Sequence, residues 1–249
     1  MRHPQGNTLV IDKGNSSAKA VVFSPKDEIL LSERLPEAGL DILDRIIVDW
    51  SPRKAILCCV GHLDQRDAES LRMMMDGRLL VLTHRTPLPI AVDYLTPATL
   101  GLDRIAAAAG AAALFPGQPL LIADAGTALT LDLVDASGRF RGGNISPGVA
   151  LRLRALHDFT EALPRVAAEG KLPRFGNSTD TAIRAGVIHG LVGEIRASLE
   201  AAADTCGPAR LILTGGDAPL LLPLLSQASH EPQLVSIGLK RILDYNENN

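Results

Sequence analysis

The chain has 249 residues, of which 46% are hydrophobic and 21% charged, so it can form two domains of about 110–140 residues with substantial cores. Its formal net charge of -3, without a Lys/Arg-rich block, argues against nucleic-acid binding, which needs a basic face. The opening MRHPQGNT is not a signal peptide, and Gly, Asp and Pro interrupt the most apolar stretch, Leu211–Leu225. We therefore expect a cytoplasmic protein with no membrane partner.

The first half of the chain predicts an α/β arrangement that opens with a hairpin. Apolar runs predict strands at Leu9–Ile11, Ala18–Phe23, Ala55–Val60 and Leu79–Leu82. Helices are predicted at Ala68–Met75 and, rich in alanine, at Asp103–Leu114. The PGQP sequence that follows cannot continue a helix, so we expect two domains, residues 1–115 and 116–249.

The second half repeats this opening. It predicts strands at Leu120–Ala123, Leu129–Val134, Gly142–Ile145 and Leu211–Leu213, with helices at Gly148–His157 and Thr181–Ala203. In the longer helix Ala182, Gly186 and Gly190 stand four residues apart and form a stripe that lets another backbone approach closely. The residues leave open whether that backbone belongs to the same chain or to a second copy. Two halves with the same β-rich start predict an internally duplicated α/β protein.

The duplication is in register at two acidic turns. LVIDKGNSS (Leu9–Ser17) and LIADAGTAL (Leu121–Leu129) place Asp12 and Asp124 at the same point of each half, 112 residues apart. The following glycines let backbone N–H groups approach an anion, and nearby hydroxyls add donors. An aspartate fits beside phosphate only if it holds a hydrated cation. Two such turns therefore predict a site that grips both ends of a nucleotide triphosphate, although a single Asp-x-Gly turn is common in ordinary hairpins.

A third motif, LTGGDA at Leu213–Ala218, is a strand that ends in two glycines and suits close contact with an adenine ring. It is also compatible with a strand-to-helix turn capped by Asp217. The sequence lacks both Gly-x-x-x-x-Gly-Lys-Ser/Thr and Gly-x-Gly-x-x-Gly, which excludes the P-loop and Rossmann types of nucleotide site.

Together these three motifs resemble the phosphate-1, phosphate-2 and adenosine motifs of the actin/Hsp70/sugar-kinase superfamily. YLTPATLGLDR (Tyr94–Arg104) further resembles the Gly-x-Asp-Arg segment of type III pantothenate kinases, and GGNISPGVALRLRAL and GNSTDTAIRAG match that family in order and spacing. The resemblance extends over nearly the whole chain. It implies a duplicated actin-like (ribonuclease H-like) ATPase fold of two domains, each with a mixed central sheet flanked by helices.

The resemblance also implies ATP-dependent phosphorylation of pantothenate to 4′-phosphopantothenate, the first step of coenzyme A biosynthesis. The acid of Gly-x-Asp-Arg is the implied catalytic base, because an alcohol acceptor must lose its proton. An N-cap of the alanine-rich helix is the alternative for this residue. The implied substrate-binding residues are Tyr94, Gly101, Leu102, Asp103, Arg104 and Thr179. Thr179 is alternatively a cap of the helix that follows it.

For ATP, the resemblance implies contacts from the first acidic turn and from the two later motifs. The implied residues are Asp12, Lys13, Gly14, Asn15, Ser16, Ser17, Ala18, Lys19, Thr127, Gly215 and Gly216. Asp12 is expected to hold Mg²⁺, and Asp124 to hold a monovalent cation, K⁺ or NH₄⁺. Lys13 occupies a position that is more often apolar in the family, but strand alternation turns it away from the cleft.

The resemblance places a homodimer interface beside the substrate pocket. Two other functions remain open from the residues: a kinase of the same superfamily that acts on a sugar or another small alcohol, and a non-catalytic ATP-responsive regulator. Arg139, Arg141, Arg152 and Arg154 lie around the GGNISPG loop. They form either a solvated face or an ATP-attracting rim.

Overall fold

The computed structural model describes residues 6–14, 17–36, 40–61 and 65–247. Its contacts divide the chain into two compact units. The first contains residues up to Ala91 together with Leu95–Ala113 and the C-terminal segment from Leu234, and the second contains Val92–Tyr94 and Leu114–Gln233. In the described part of the chain, no helix has both the length and the apolar character needed to cross a bilayer.

The first unit is built on a mixed sheet with the strand order β3-β2-β1-β4-β5. Its strands are β1 (Thr8–Lys13), β2 (Ala18–Phe23), β3 (Ile29–Leu35), β4 (Lys54–Cys59) and β5 (Leu79–Val81). Its helices are α1 (Leu40–Trp50), α2 (Gln65–Met74) and α3 (Leu102–Leu114), and a 3₁₀ turn at Pro97–Thr99 precedes α3. Leu9, Ile11 and Ala55 project from the central strands into a core shared with α1 and α2.

The second unit contains a sheet with the order β11-β10-β7-β8-β9-β6. Its strands are β6 (Ala91–Val92), β7 (Leu120–Ala125), β8 (Ala128–Val134), β9 (Arg139–Pro147), β10 (Arg210–Thr214) and β11 (Ser229–His230). The helices α4 (Val149–Asp158), α5 (Thr179–Cys206) and α6 (Ala218–Leu221) follow in chain order, and a 3₁₀ turn occupies Leu222–Leu224. Leu129, Leu131 and Leu213 pack against α5 in the core of this unit.

The two sheets repeat one topology, which confirms the internal duplication. In the first, β1 pairs antiparallel with β2 and parallel with β4; in the second, β7 pairs antiparallel with β8 and parallel with β10. Asp12 faces Lys19 and Cys58 in the neighbouring strands, and Asp124 faces Thr130 and Thr214. The two acidic residues thus occupy the same position in each sheet, at the end of the first strand of its half.

The last helix, α7 (Leu234–Glu247), belongs to the first unit and not to the second, in which the expected boundary at residue 115 placed it. It packs on β1 and β4, and the ammonium of Lys240 forms ion pairs with Asp27 and Asp244. Where α7 meets α3, a Cβ atom on Gly238 would collide with the carbonyl oxygen of Ala106. The alanine-rich helix α3 and the helix α7 therefore pack in close contact.

The small-residue stripe on α5 makes no close contact of this kind in the part of the chain that the structure describes. A Cβ added to Gly186 or Gly190 would meet nothing within 4 Å among the described residues, so these glycines do not mediate a close backbone approach within the described chain. The predicted strands and helices all occur, with ends displaced by a few residues. Among the described residues, the strands β3, β6 and β11 and the α-helices α1, α6 and α7 have no counterpart among the predicted elements.

Candidate functional site

The first acidic turn joins β1 to β2. Asp12 lies one residue before the end of β1, and the N–H of Gly14 donates to the carbonyl oxygen of Ser17 over 2.9 Å, closing the turn. Asn15 and Ser16, predicted to bind ATP, lie outside the described residues. Lys13 pairs with Cys59 in β4 and alternates with Asp12, so its side chain is on the opposite face of the sheet.

Asp12 is a strongly perturbed acidic group. Its Oδ1 atom is buried and has no hydrogen-bond partner. Burial raises the pKa of Asp12 to about 6, the negative charge of Asp103 adds to the increase, and the ammonium of Lys19 opposes it. An unpartnered buried carboxylate oxygen fits a cation, and Mg²⁺ is bound in proteins through one or two carboxylates, phosphates and water.

Asp103 reaches the same region from α3. It is the second residue of that helix, so it is not the N-cap that sequence reasoning gave as the alternative, and its Oδ1 accepts a 2.9 Å hydrogen bond from the N–H of Arg104. A Cβ on Gly101 would collide with this Oδ1, so the glycine leaves room for the carboxylate in the position that it occupies. Arg104 is only 5% exposed and is held in the first turn of the helix.

Cys58 in β4 lies in the same electrostatic neighbourhood. Burial raises the pKa of its thiol, and the negative charges of Asp12 and Asp103 raise it further. The first unit therefore brings together Asp12, Lys19, Cys58 and Asp103, two of which were predicted as the magnesium ligand and the base. Sequence reasoning missed Cys58 as a member of this group, although its place opposite Asp12 follows from the pairing of two predicted strands.

The second acidic turn and the glycine pair after β10 are neighbours in the second unit. The N–H of Asp217 donates to the carbonyl oxygen of Ala125 over 2.8 Å. Gly215 has a φ of 91°, and a Cβ there would collide with Oδ1 of Asp124 and with the carbonyl oxygen of Ala125. Carboxylate and carbonyl oxygens are hard ligands, so these two groups fit the monovalent cation expected at Asp124.

A short connection between β9 and α4 links these two motifs, and sequence reasoning did not assign it this role. The N–H of Gly148 donates to the carbonyl oxygen of Thr127 over 3.0 Å, and a Cβ on Gly148 would collide with the carbonyl oxygen of Gly126. Burial raises the pKa of Asp217, and the negative charge of Glu169 adds to the increase. The hydrogen bond that the Asp217 carboxylate accepts from the N–H of Val149 opposes it. Asp217 makes no side-chain cap to its own short helix α6.

The remaining predicted substrate contacts lie in the second unit. Thr179 is the first residue of α5 and is exposed, while Ser178 is the N-cap and forms a capping box with Thr181. The capping alternative for Thr179 is therefore wrong. The ring of Tyr94 packs edge-on against Phe140, with ring centroids 6.0 Å apart. Gly101, Leu102, Asp103 and Arg104 belong to the first unit.

Comparison with solved structures defines the class of protein. A Baf family protein from Campylobacter jejuni is similar in fold, with a TM-score of 0.65 at 23% identity over 97% of this chain and 100% of that one. A ROK family glucokinase from Streptomyces griseus, solved in complex with glucose and AMPPNP, gives a TM-score of 0.52 at 14% identity over 98% and 100% of the two chains. The fold is thus that of the actin-like ATPases and sugar kinases, as expected.

Sequence comparison identifies the family within this class. The sequence model of the type III pantothenate kinases matches residues 8–201. A type III pantothenate kinase from Cytophaga hutchinsonii is 48% identical over 239 residues, which cover 96% of this chain and 99% of that relative. This chain belongs to the type III pantothenate kinase family.

Proposed function

We propose that Asp103 and the two acidic turns perform the reaction of the family to which this chain belongs, the ATP-dependent phosphorylation of pantothenate to 4′-phosphopantothenate. The product enters coenzyme A biosynthesis, of which this is the first step. The observation that carries the assignment of roles is the pairing of two carboxylates in the first unit: Asp12, with its unpartnered oxygen, and Asp103, at the start of α3.

Asp103 is the proposed general base. As the primary hydroxyl of pantothenate attacks the γ-phosphate, it must lose its proton, and a carboxylate at this point accepts it. The hydrogen bond from the N–H of Arg104 to Oδ1 fixes the carboxylate, and the bare α-carbon of Gly101 leaves room for it. The second carboxyl oxygen, Oδ2, is then the proposed proton acceptor.

Pantothenate is proposed to bind along the segment that precedes and begins α3. The Arg104 guanidinium is the partner for its carboxylate, because a planar, permanently charged fork suits that group. Gly101, Leu102 and Tyr94 are further proposed contacts. The hydroxyl of Thr179 is exposed and is not used to cap α5, which leaves it available for the substrate.

The nucleotide is proposed to bind through the two acidic turns and the glycine pair after β10. Residues 12–19 form the first phosphate loop, Thr127 belongs to the second, and Gly215 and Gly216 back the adenosine. Asp12 is the proposed ligand of Mg²⁺, which supplies charge neutralisation of the phosphates when bound. Asp124, with the carbonyl of Ala125, is the proposed holder of K⁺ or NH₄⁺.

The protein is proposed to work as a homodimer in the cytoplasm. A groove of about 970 Å³ between α4 and α5 is lined by Leu151, Ala155, Phe159, Ala182, Ile183 and Gly186, among others. Phe159 is 86% exposed, and the α5 stripe has open space beside it. Both features support a homodimer, because the same face of a second copy would cover the apolar groove. The three cysteines are free thiols, in keeping with a reducing compartment.

The decisive experiment is a coupled assay of ADP release with and without pantothenate. We expect release that depends on pantothenate and is absent with glucose or another small alcohol at the same concentration. Release that is stimulated by a sugar instead would favour a different kinase of the superfamily. Nucleotide binding without any acceptor-dependent release would favour a regulator.

A further inference from the structure

The guanidinium of Arg152 closes a polar network on the connection between β9 and α4. Its Nε donates to the carbonyl oxygen of Pro147 over 2.7 Å, and its Nη2 donates to Oγ of Ser146 over 3.0 Å. Two further contacts of 2.7 Å join Nη1 and Nη2 to the two carboxylate oxygens of Glu194 in α5. Ser146 completes the network by donating to Glu194 over 2.8 Å.

This polar network is partly buried and strongly hydrogen-bonded. The Arg152 side chain is 19% exposed and that of Glu194 is 39% exposed, so part of the pair is shielded from solvent. The hydrogen bond from Arg152 lowers the pKa of Glu194, against the effect of burial, and the bond from Ser146 lowers it further. A bidentate pair of an arginine and a carboxylate, both of them charged, forms strong and directional hydrogen bonds.

The residues held by this network lie directly beside the second acidic turn and the glycine pair after β10. Pro147, which accepts from Arg152, precedes Gly148, and Gly148 lies against the backbone of Gly126 and Thr127 in the second acidic turn. The next residue, Val149, donates its N–H to the carboxylate of Asp217, beside the glycine pair. Any displacement of the β9–α4 connection would therefore move both motifs.

We infer that Arg152 and Glu194 are positioning residues for nucleotide binding: they fix the Pro147–Val149 connection, which in turn fixes the second phosphate turn and the adenosine motif. This inference rests on the proposed nucleotide site. It gives Arg152 a different role from both alternatives that the sequence allowed, a solvated face and an ATP-attracting rim, because its guanidinium is used within the protein.

Arg152→Lys is the most informative variant. Lysine keeps the positive charge, but an ammonium lacks the planar fork of donors with which the guanidinium contacts Pro147, Ser146 and both oxygens of Glu194. We expect the dissociation constant for ADP to increase by roughly 10-fold, because small displacements of binding groups are costly. Glu194→Gln removes the charge but leaves the bond to Pro147, so a smaller increase, of about 3-fold, is expected.

Arg154→Lys is the matched control. Arg154 is two residues away in the same helix and lines the same groove, but its side chain forms a surface ion pair with Asp158 at 3.8 Å, and 67% of that side chain is exposed. ADP binding by this variant should stay within about 2-fold of the parent protein, as is usual for exposed pairs. Isothermal titration calorimetry measures all four proteins, and thermal unfolding verifies that each is folded.

The kinetic readout separates positioning from a general loss of structure. A positioning role raises KM for ATP while KM for pantothenate is unchanged, whereas general loosening raises both and lowers the unfolding temperature. Unchanged ADP binding in Arg152→Lys, beside a parent protein that binds ADP, overturns the inference and leaves the kinase assignment intact. If Arg152→Lys does not fold, Glu194→Gln is judged by the same criterion.

A parent protein that binds ADP but does not produce ADP from ATP in a pantothenate-dependent manner refutes the proposed reaction. The comparison of ADP binding still decides the positioning role in that case. A parent protein that binds no ADP overturns the nucleotide site and the inference with it.

Discussion

The carboxylate of Asp103, at the start of α3, lies close enough to Asp12, at the end of β1, for its negative charge to raise the pKa of Asp12. Burial is the larger cause of the increase. A negative charge held beside Asp12 in this way disfavours the ionised form of Asp12 until a cation or a proton compensates it. The predictions for these two residues follow from that relationship.

Replacing Asp103 with Asn should lower kcat by roughly 10²–10⁴-fold, because the proton acceptor is lost while the shape of the side chain is kept. ADP binding should be largely preserved, since Asp103 is assigned to the acceptor alcohol. Steady-state kinetics and calorimetry measure the two effects separately. Near-normal turnover in this variant would exclude Asp103 as the base.

The same geometry makes stability depend on pH. The pKa of Asp12 is about 6 in the folded protein and near its ordinary value, 3.8, when unfolded. The folded state therefore binds the extra proton, and the free energy of unfolding should fall as pH rises from about 4 to 6 and level off above that.

Asp12→Asn removes this contribution, so it should raise the free energy of unfolding at pH 7.5 by about 1–3 kcal/mol and flatten the pH dependence. Urea denaturation of the cation-free protein at pH 4.5 and 7.5 measures both. A variant with the same stability and the same pH dependence as the parent would show that folding does not raise the pKa of Asp12.

Asp12→Asn should also weaken nucleotide binding specifically in the presence of Mg²⁺, because an amide is a poorer ligand than a carboxylate for this cation. ADP titrations with Mg²⁺ and with EDTA give the comparison. The parent should bind more tightly with Mg²⁺, and the variant should lose most of that difference. An equal gain from Mg²⁺ in both proteins would argue against Asp12 as a ligand.

The crossing of α3 and α7 predicts a strong effect of a small change. Gly238→Ala would drive a methyl group into the carbonyl oxygen of Ala106 and should destabilise the protein by about 1–3 kcal/mol. Gly193→Ala is the control: it lies in α5 with nothing within 4 Å of an added Cβ, so the change should be neutral or stabilise by up to about 1 kcal/mol. Denaturant unfolding compares the two, and equal stabilities would show that the helices can separate at no cost.

The proposed homodimer can be tested on the α5 stripe. Gly186→Arg has open space for its side chain within the described chain, so the protomer should fold, but a second copy of the groove would meet the new charge. Sedimentation velocity should show a shift from dimer to monomer. Met73→Arg, at a residue of α2 that is 74% exposed and outside the groove, should leave the association unchanged. A dimer that survives Gly186→Arg places the interface elsewhere.

The sequence predicted the duplicated sheet and the two acidic turns because their signals are local. Three apolar residues, an aspartate and a glycine specify a strand that ends in a tight turn, and the repeat at a constant offset fixed the equivalence of Asp12 and Asp124. The pairing of Asp12 with Asp103 was less accessible. It depends on where α3 begins relative to the end of β1, which no spacing along the chain encodes.

Other features were missed because they are set by tertiary packing. Strand β3 begins with a short apolar run, Ile29–Leu31, but most of its residues are exposed or half-buried, because it lies at the edge of the sheet. The role of Gly148 arises from backbone groups of the second acidic turn, which are distant in sequence. Gly186 was predicted to mediate close packing, but no described backbone lies against it, whereas Gly238, which no pattern marked, lies against the backbone of Ala106.

The return of α7 to the first unit has a consequence for synthesis on the ribosome. The second unit is almost continuous in sequence, whereas the sheet that carries Asp12 and the helix that carries Asp103 lack their packing partner until the residues after 233 are translated. Domains generally fold as units while the nascent chain emerges. In this chain the half made first must wait until α7 has been translated, and the half made later is the one able to acquire its core without delay.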